Sequence, residues 1–468
     1  MYIGNTEGLR VTIRNVSVLI AGCLITCISM LLILYDYRYS LALASAFLVL
    51  TWIFTQGSRA VGILSLGLII SLFLIRSTSI GGANIRADDI ITILLGICMP
   101  LIWRHVSKNK LTSLIVFYLI YCIGISVVHL GFSGLRPFYM LYLIKEIQYF
   151  LYFFVFYYLS VTGSFEEKAF RWIRYLSVLT MLWGIFQLLS GSAYGYYGIG
   201  IISSTAPSHS GVMFLFITIF FIFDMERTKI KRHKWWCAIA AITSSLLTVA
   251  TISRVSIVVM VTTWILYFLI SLVNRRITAK RVIFSIYLIA LGSPFSYFLL
   301  GSMAQRIIDR LNRTSTGADI RMEHWERFIG SSGSLGLWFG NGKGFMQVIT
   351  GTLTLGADNQ YVRNILEIGV VGTLIWLLIP MFLLFFAFKR RKSNYEYSLL
   401  LTLLTAGFLT LGITHEVFLV SIQASLFWIF VGIALGKMNR DTVTVESKEA
   451  AHNGRNIRLI LRTSKSNA

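Results

Sequence analysis

Long apolar runs alternate with short polar clusters along the whole chain. The runs fall near 16–35, 40–54, 60–76, 89–103, 111–130, 139–161, 172–190, 211–225, 235–250, 255–273, 282–300, 361–388, 397–413 and 417–436. A helix needs about twenty apolar residues to cross a bilayer. In lipid the backbone must satisfy its own hydrogen bonds, which a helix does. Each run therefore predicts a membrane helix, about fourteen in all. The polar clusters test this threading. Arg10 and Arg14 precede the first run, Arg104, Lys108 and Lys110 follow the fourth, and Lys168, Arg171 and Arg174 follow the sixth. Arg227, Lys229, Lys231, Arg232 and Lys234 follow the eighth, Arg275, Arg276, Lys280 and Arg281 the tenth, and Lys389, Arg390, Arg391 and Lys392 the twelfth. All of them fall on one side, which the positive-inside rule makes cytoplasmic. The expectation is an all-α polytopic membrane domain over 1–436 with both termini inside. A polar, flexible cytoplasmic tail is expected over 437–468.

The opposite side then holds 36–39, 77–88, 131–138, 191–210, the stretch around Arg254, 301–360 and 414–416. Only 301–360 is long, and long connections are often functional. Within it, Asp319 to Ile329 has the period of a short amphipathic helix, with Ile320, Trp325 and Phe328 apolar and Arg321, Glu323, Glu326 and Arg327 polar. The chain has no visible internal repeat, which weighs against a transporter built from inverted halves.

Composition agrees with the threading. The 468 residues are 56% hydrophobic and only 13% charged, against about 25% charged in soluble domains. Mean hydropathy is +0.73. The net charge of +22 does not point to nucleic acid, because the basic residues lie in short clusters between apolar runs. Cys23, Cys27, Cys98, Cys122 and Cys237 all lie inside apolar segments. They read as small core residues rather than a disulfide framework or a metal pair. The N-terminus lacks the cleavage pattern of a signal peptide, so the first run is expected to stay as a helix.

Arg254 is the most informative residue. It sits in Thr251-Ile-Ser-Arg-Val255 between two long apolar runs, with almost no loop to solvate it. An ionised side chain at membrane depth is expensive and tends to face a cavity. Guanidinium binds phosphate through a planar fork that keeps its charge. Arg86, Arg136, Arg306, Arg310, Arg313, Arg321, Arg327 and Lys343 are further outward cations. For the loop arginines the competing reading is local ion pairs with Asp309, Asp319, Glu323 and Glu326. The outward carboxylates form no Asp-x-Asp pair, so the usual cage for a phosphate-bound divalent cation is absent. Gly340-Asn-Gly-Lys-Gly344 fails the P-loop pattern and reads as a glycine-rich turn. Asp358 and Asn359 open the twelfth run, where either can cap a helix or, in the case of Asp358, face the same cavity as Arg254. Glu367 lies deep in that run, and an ion pair with Arg363 one turn earlier is its structural reading. Lys145 and Glu146 are charges buried in the sixth run with a structural role in view.

Taken together, three features resemble the O-antigen polymerase and O-antigen ligase superfamily of bacterial envelope glycosyltransferases. They are the Ser253-Arg254 step, the loop with Asp319-Ile-Arg321, Trp325 and Gly340-Asn-Gly-Lys-Gly344, and Asp358-Asn-Gln-Tyr361 followed by Glu367-Ile-Gly-Val-Val-Gly372. The motif match covers roughly residues 200–375. The resemblance implies a C-type membrane glycosyltransferase-like fold with one long external loop, and chemistry without metal or other cofactor. Ligases of this kind carry His where this chain has Asp358, a departure that favours polymerase activity.

The implied substrates are glycans on undecaprenyl pyrophosphate. Repeat units would be joined, with inversion, at the outer face of the bacterial inner membrane. Arg254 and Arg321 would hold the pyrophosphate and Asp358 would orient or deprotonate the acceptor. Asn359, Tyr361, Trp325, Lys343, Arg136 and Tyr196 would contact substrate, with Tyr194 and Tyr197 beside Tyr196 in an aromatic-rich loop. Apart from substrate, the expected partners are the lipid bilayer and, where the assembly includes one, a chain-length regulator. A ligase acting on lipid A core and a lipid-linked oligosaccharide flippase are the alternative readings.

Overall fold

The computed structural model describes residues 51–53, 55–74, 78–80, 83–85, 87–132, 141–163, 165–190, 199–202, 207–274, 314–346, 358–416 and 422–441. Runs 16–35 and 282–300, most of 40–54, the tail from 442, and Arg86, Arg136, Tyr194, Tyr196, Tyr197, Arg306, Arg310 and Arg313 lie outside the described residues. The chain divides into two compact units, Met1–Ser65 and Leu66–Ala468. The boundary falls inside α1 (Ser58–Leu74).

In the second unit, a three-residue antiparallel pair, β1 (Thr78–Ile80) and β2 (Ala83–Ile85), precedes α2 (Ala87–Ile97) and α3 (Met99–Val106). Pro100 sits in the first turn of α3, and the two helices bend by 71° at Cys98. The expected span 89–103 is thus a broken pair, because a proline there cannot donate to the α2 ladder. Then come α4 (Lys110–Phe132), α5 (Leu141–Thr162), α6 (Phe165–Leu189), α7 (Pro207–Arg227), α8 (Lys231–Ala250) and α9 (Arg254–Val273). The long loop carries α10 (Thr314–Gly330) and α11 (Ser334–Phe339). The amphipathic stretch read at 319–329 lies within α10, which begins five residues earlier, at Thr314. The fold ends with α12 (Gln360–Arg390), α13 (Tyr395–Gly412) and α14 (Ile422–Asp441).

Among the described residues the fold is all-α apart from the β1–β2 pair. Among the described residues six helices are long and apolar enough to cross a membrane, or seven if the bent α2–α3 pair counts as one. The six are α4, α6, α7, α9, α12 and α14. Helices α5, α8 and α13 cover the expected runs 139–161, 235–250 and 397–413 without reaching that apolar length.

Burial sorts the helices. The spans of α7 and α14 are 83% and 89% buried, while those of α4 and α9 are 33% buried. The centre is aromatic. Trp428 of α14 packs tilted against Phe150 of α5 at 4.6 Å between ring centroids, and Phe427 against Phe408 of α13 at 4.3 Å. Gly432 of α14 packs directly on the α5 backbone, where a Cβ would fall 2.8 Å from the Phe153 carbonyl oxygen. The outward faces carry exposed Phe117 and Ile120 of α4, Leu182 and Phe186 of α6, and Val258 and Ile265 of α9. So large an apolar surface marks contact with lipid. Together these features make the chain a multi-pass membrane protein.

Candidate functional site

The turn between α8 and α9 holds Arg254. Ile252 takes φ +57° while buried. That region is strained for a β-branched residue. Buried packing and the hydrogen bond from Ser253 N to Thr251 Oγ1 (3.3 Å) hold the conformation. Ser253 is the N-cap of α9, yet its side chain caps no backbone N–H. Its hydroxyl pairs instead with Ser256 Oγ at 2.8 Å. Arg254 is the first residue of α9 and is partly exposed. A cation at the positive end of a helix is disfavoured. Backbone N–H groups at a helix start, together with a cationic residue there, favour an anion.

Asp358 and Asn359 divide the roles considered for them. Asn359 is the cap of α12, its Oδ1 accepting from Tyr361 N (2.8 Å) and Val362 N (3.1 Å). Asp358 precedes it, exposed and at φ +49°. Tyr361 donates its hydroxyl to Leu409 O at 2.7 Å.

Arg254 and Asp358 lie toward the same end of the helical unit. Helices α9 and α13 run antiparallel: Ser271 Oγ meets Tyr395 Oη at 2.9 Å, and the Cβ position of Gly407 lies 3.5 Å from Val259 Cγ1. Arg254 and Gly412 each lie five residues beyond that second contact (259 − 254 and 412 − 407). At about 1.5 Å rise per residue they are level. The Cβ position of Gly412 is 3.4 Å from the Tyr361 ring and 3.5 Å from Gln360. The start of α12 therefore sits at the Arg254 end.

The run expected as one span at 361–388 is two arms. Gly369 takes φ 71°, ψ 176° inside α12. Positions 361 and 376 of an unbroken helix would be about 22 Å apart, yet the Tyr361 and Trp376 rings are 6.0 Å apart. The arms fold toward each other at Gly369. The glycine-rich turn takes two of the carbonyls at the break, and α4 takes a third. Asn341 N donates to Leu366 O (3.2 Å) and Gly342 N to Glu367 O (2.9 Å). Tyr121 of α4 directs its hydroxyl to Phe339 O (2.8 Å) and Ile368 O (3.1 Å). The turn read at 340–344 is thus a backbone brace for the break.

Under the brace lies a buried charge network. Arg363 pairs with Glu367 at 2.7 Å, as read from the spacing, and also with Glu416 at 2.8 Å. Lys343 was expected among the outward cations that contact substrate. The structure buries it, with its ammonium 2.6 Å from Glu146 of α5 and 3.9 Å from Glu367. Burial alone would push this ammonium down in pKa. The Glu146 carboxylate, aided by Glu367, outweighs that and holds it above its ordinary value. Tyr118 donates to Glu146, and Ser126 Oγ accepts from Lys343 N at 3.0 Å. Tyr118, Tyr121 and Ser126 were not anticipated. All three sit in an apolar helix far away in sequence, and nothing local marks them as partners of the loop.

The loop residues part company. Trp325 is half-buried in α10, and Arg327 makes the exposed local pair with Glu323 at 3.0 Å. Arg321 is on α10, and its side chain lies outside what is described. No protein-family model and no curated protein matches this chain.

Proposed function

We propose that this protein is a membrane glycosyltransferase that polymerises glycan repeat units carried on undecaprenyl pyrophosphate, acting at the external face of the bacterial inner membrane. One observation carries the reading. A guanidinium, Arg254, stands at the uncapped positive end of α9, and the exposed carboxylate of Asp358 lies toward the same end. The first is suited to a pyrophosphate and the second to a hydroxyl.

In the transfer, the acceptor oxygen attacks the anomeric carbon of the growing glycan. The bond to pyrophosphate breaks, and the leaving group keeps the electron pair. Arg254, with Arg321 from α10, stabilises the charge that develops there. Asp358 accepts the hydroxyl proton or orients the hydroxyl. Asn359 and Tyr361 shape the entrance beside it. Lys343 has no direct part, because Glu146 and Glu367 occupy its ammonium. Asp358 stands where the resembling ligases carry His, which supports the polymerase over the ligase reading.

The test is genetic. A strain lacking the gene should accumulate single lipid-linked repeats, and the wild-type gene should restore polymer. Arg254→Ala should fail to restore it while inserting at normal abundance. Arg254→Lys should restore it poorly, since ammonium lacks the bidentate fork. Normal polymer from the alanine variant would remove Arg254 from the chemistry and this reading with it.

A further inference from the structure

At the other end of α7, three potential ligands converge. Asp224 lies near the end of α7, and His233 and Cys237 stand one turn apart on α8. His233 Nε2 is 3.2 Å and Cys237 Sγ 3.5 Å from Asp224 Oδ2. All three ligand atoms lie within 4.8 Å of one another. A tetrahedral zinc with bonds of about 2.0 Å to O and N and 2.3 Å to S has O···N and O···S edges of about 3.3 and 3.5 Å. The observed separations match those edges. A cavity of about 380 Å³, lined by Arg174, Met181, Phe221, His233, Cys237 and Thr243, opens beside the cluster.

We propose that Asp224, His233 and Cys237 form a three-ligand site for a zinc-class divalent cation, with its fourth position facing this cavity. Arg174 already grips Asp224 from two nitrogens, Nε at 2.9 Å and Nη2 at 3.1 Å, and Arg227 approaches it at 3.3 Å. These guanidiniums fix the carboxylate, and they also oppose added positive charge. Glu167, paired with Arg227, offsets one of them. On binding, the Cys237 S–H bond breaks, its proton goes to the buffer, and a metal–sulfur bond forms. The net gain is one positive charge, which an anionic fourth ligand from the cavity neutralises. Without metal, the same contacts are hydrogen bonds to Asp224.

The experiment uses full-length protein in detergent with a phosphine reductant, titrated with cobalt(II). The wild-type chain should bind one cobalt with a sulfur-to-metal charge-transfer band and the intense visible bands of a tetrahedral site. Zinc should bleach both, and protons should be released on binding. Cys237→Ser, nearly isosteric, should lose the sulfur band. His233→Gln should weaken cobalt binding by about tenfold or more. Cys98→Ser should leave the spectrum intact. No sulfur band in the wild-type protein overturns the site. So does a band that survives in Cys237→Ser, or one that disappears in Cys98→Ser.

Discussion

Gly340 and Gly369 bring two backbone segments so close together that neither position has room for a side chain. A Cβ on Gly369 would sit 2.5 Å from Gly340 N, and one on Gly340 would sit 2.5 Å from the carbonyl oxygen of Glu367. Both glycines have positive φ, at 98° and 71°. The break in α12 and the turn of the long loop are therefore one structural unit.

Gly369→Ala should be among the most damaging single-methyl changes in the protein. Its backbone is in a region open almost only to glycine, and the atoms it would strike are backbone, which cannot swing aside. Protease resistance in detergent should fall sharply. Gly124→Ala in α4 is the control, since a Cβ there meets nothing within 4 Å. It should be silent or slightly stabilising, by about 0.5–1 kcal/mol. Equal behaviour of the two variants would contradict the interlock.

Tyr121→Phe keeps the ring and deletes the hydroxyl that serves Phe339 O and Ile368 O. Losing the hydrogen bond at the part-buried Ile368 carbonyl costs about 0.5–1.5 kcal/mol. A drop in thermal stability of that size is expected, with no loss of membrane insertion. An unchanged melting temperature would mean that the loop amides alone hold the break.

Glu367→Gln removes the charge nearest Arg363 and weakens the field around Lys343. The side chains of Arg363 and Glu367 are 2% and 1% exposed. Breaking a buried pair costs about 3–5 kcal/mol. Glu416 remains on Arg363, so the loss should sit near the lower figure. Thermal unfolding in detergent measures it, and a stable variant would show the network to be dispensable.

Asn359→Ala and Asp358→Asn separate capping from chemistry. Asn359 is the cap, so its loss should cost about 0.5–2 kcal/mol of stability. Asp358→Asn leaves that cap intact and suits the positive φ of the site. It should keep stability and lose most polymerising activity. A fully active Asp358→Asn protein would take Asp358 out of the proposed mechanism.

Much of the helical layout was readable because burial in lipid writes itself as long apolar runs. Helix α10 was readable from its period, and the Arg363–Glu367 pair from its spacing. The burial of Lys343 was not legible, for a physical reason. A lysine in a glycine-rich external loop reads as solvated, and only the return of that loop onto α4 and α12 brings it to Glu146. The break at Gly369 was hidden because Gly369 and Gly372 lie inside an otherwise continuous apolar stretch. A glycine there is tolerated in straight and broken helices alike. Asp358 and Asn359 could each have been the cap, and the backbone rather than the residue type decides between them.

The brace also sets an order of assembly. Tyr121 and Ser126 of α4 are made early and bind Phe339 and Lys343, 218 and 217 residues later. The turn at 340–344 in turn binds the carbonyls of Leu366 and Glu367, which follow it in the chain. A nascent chain that ends before Gly369 can insert α4 and carry the turn, but it cannot close the circuit. Until α12 arrives, the amides of Asn341 and Gly342 must stay hydrated or find temporary partners. Completion of this region is therefore a late event in biogenesis, gated by synthesis of the segment around Gly369 rather than by insertion of the helices before it.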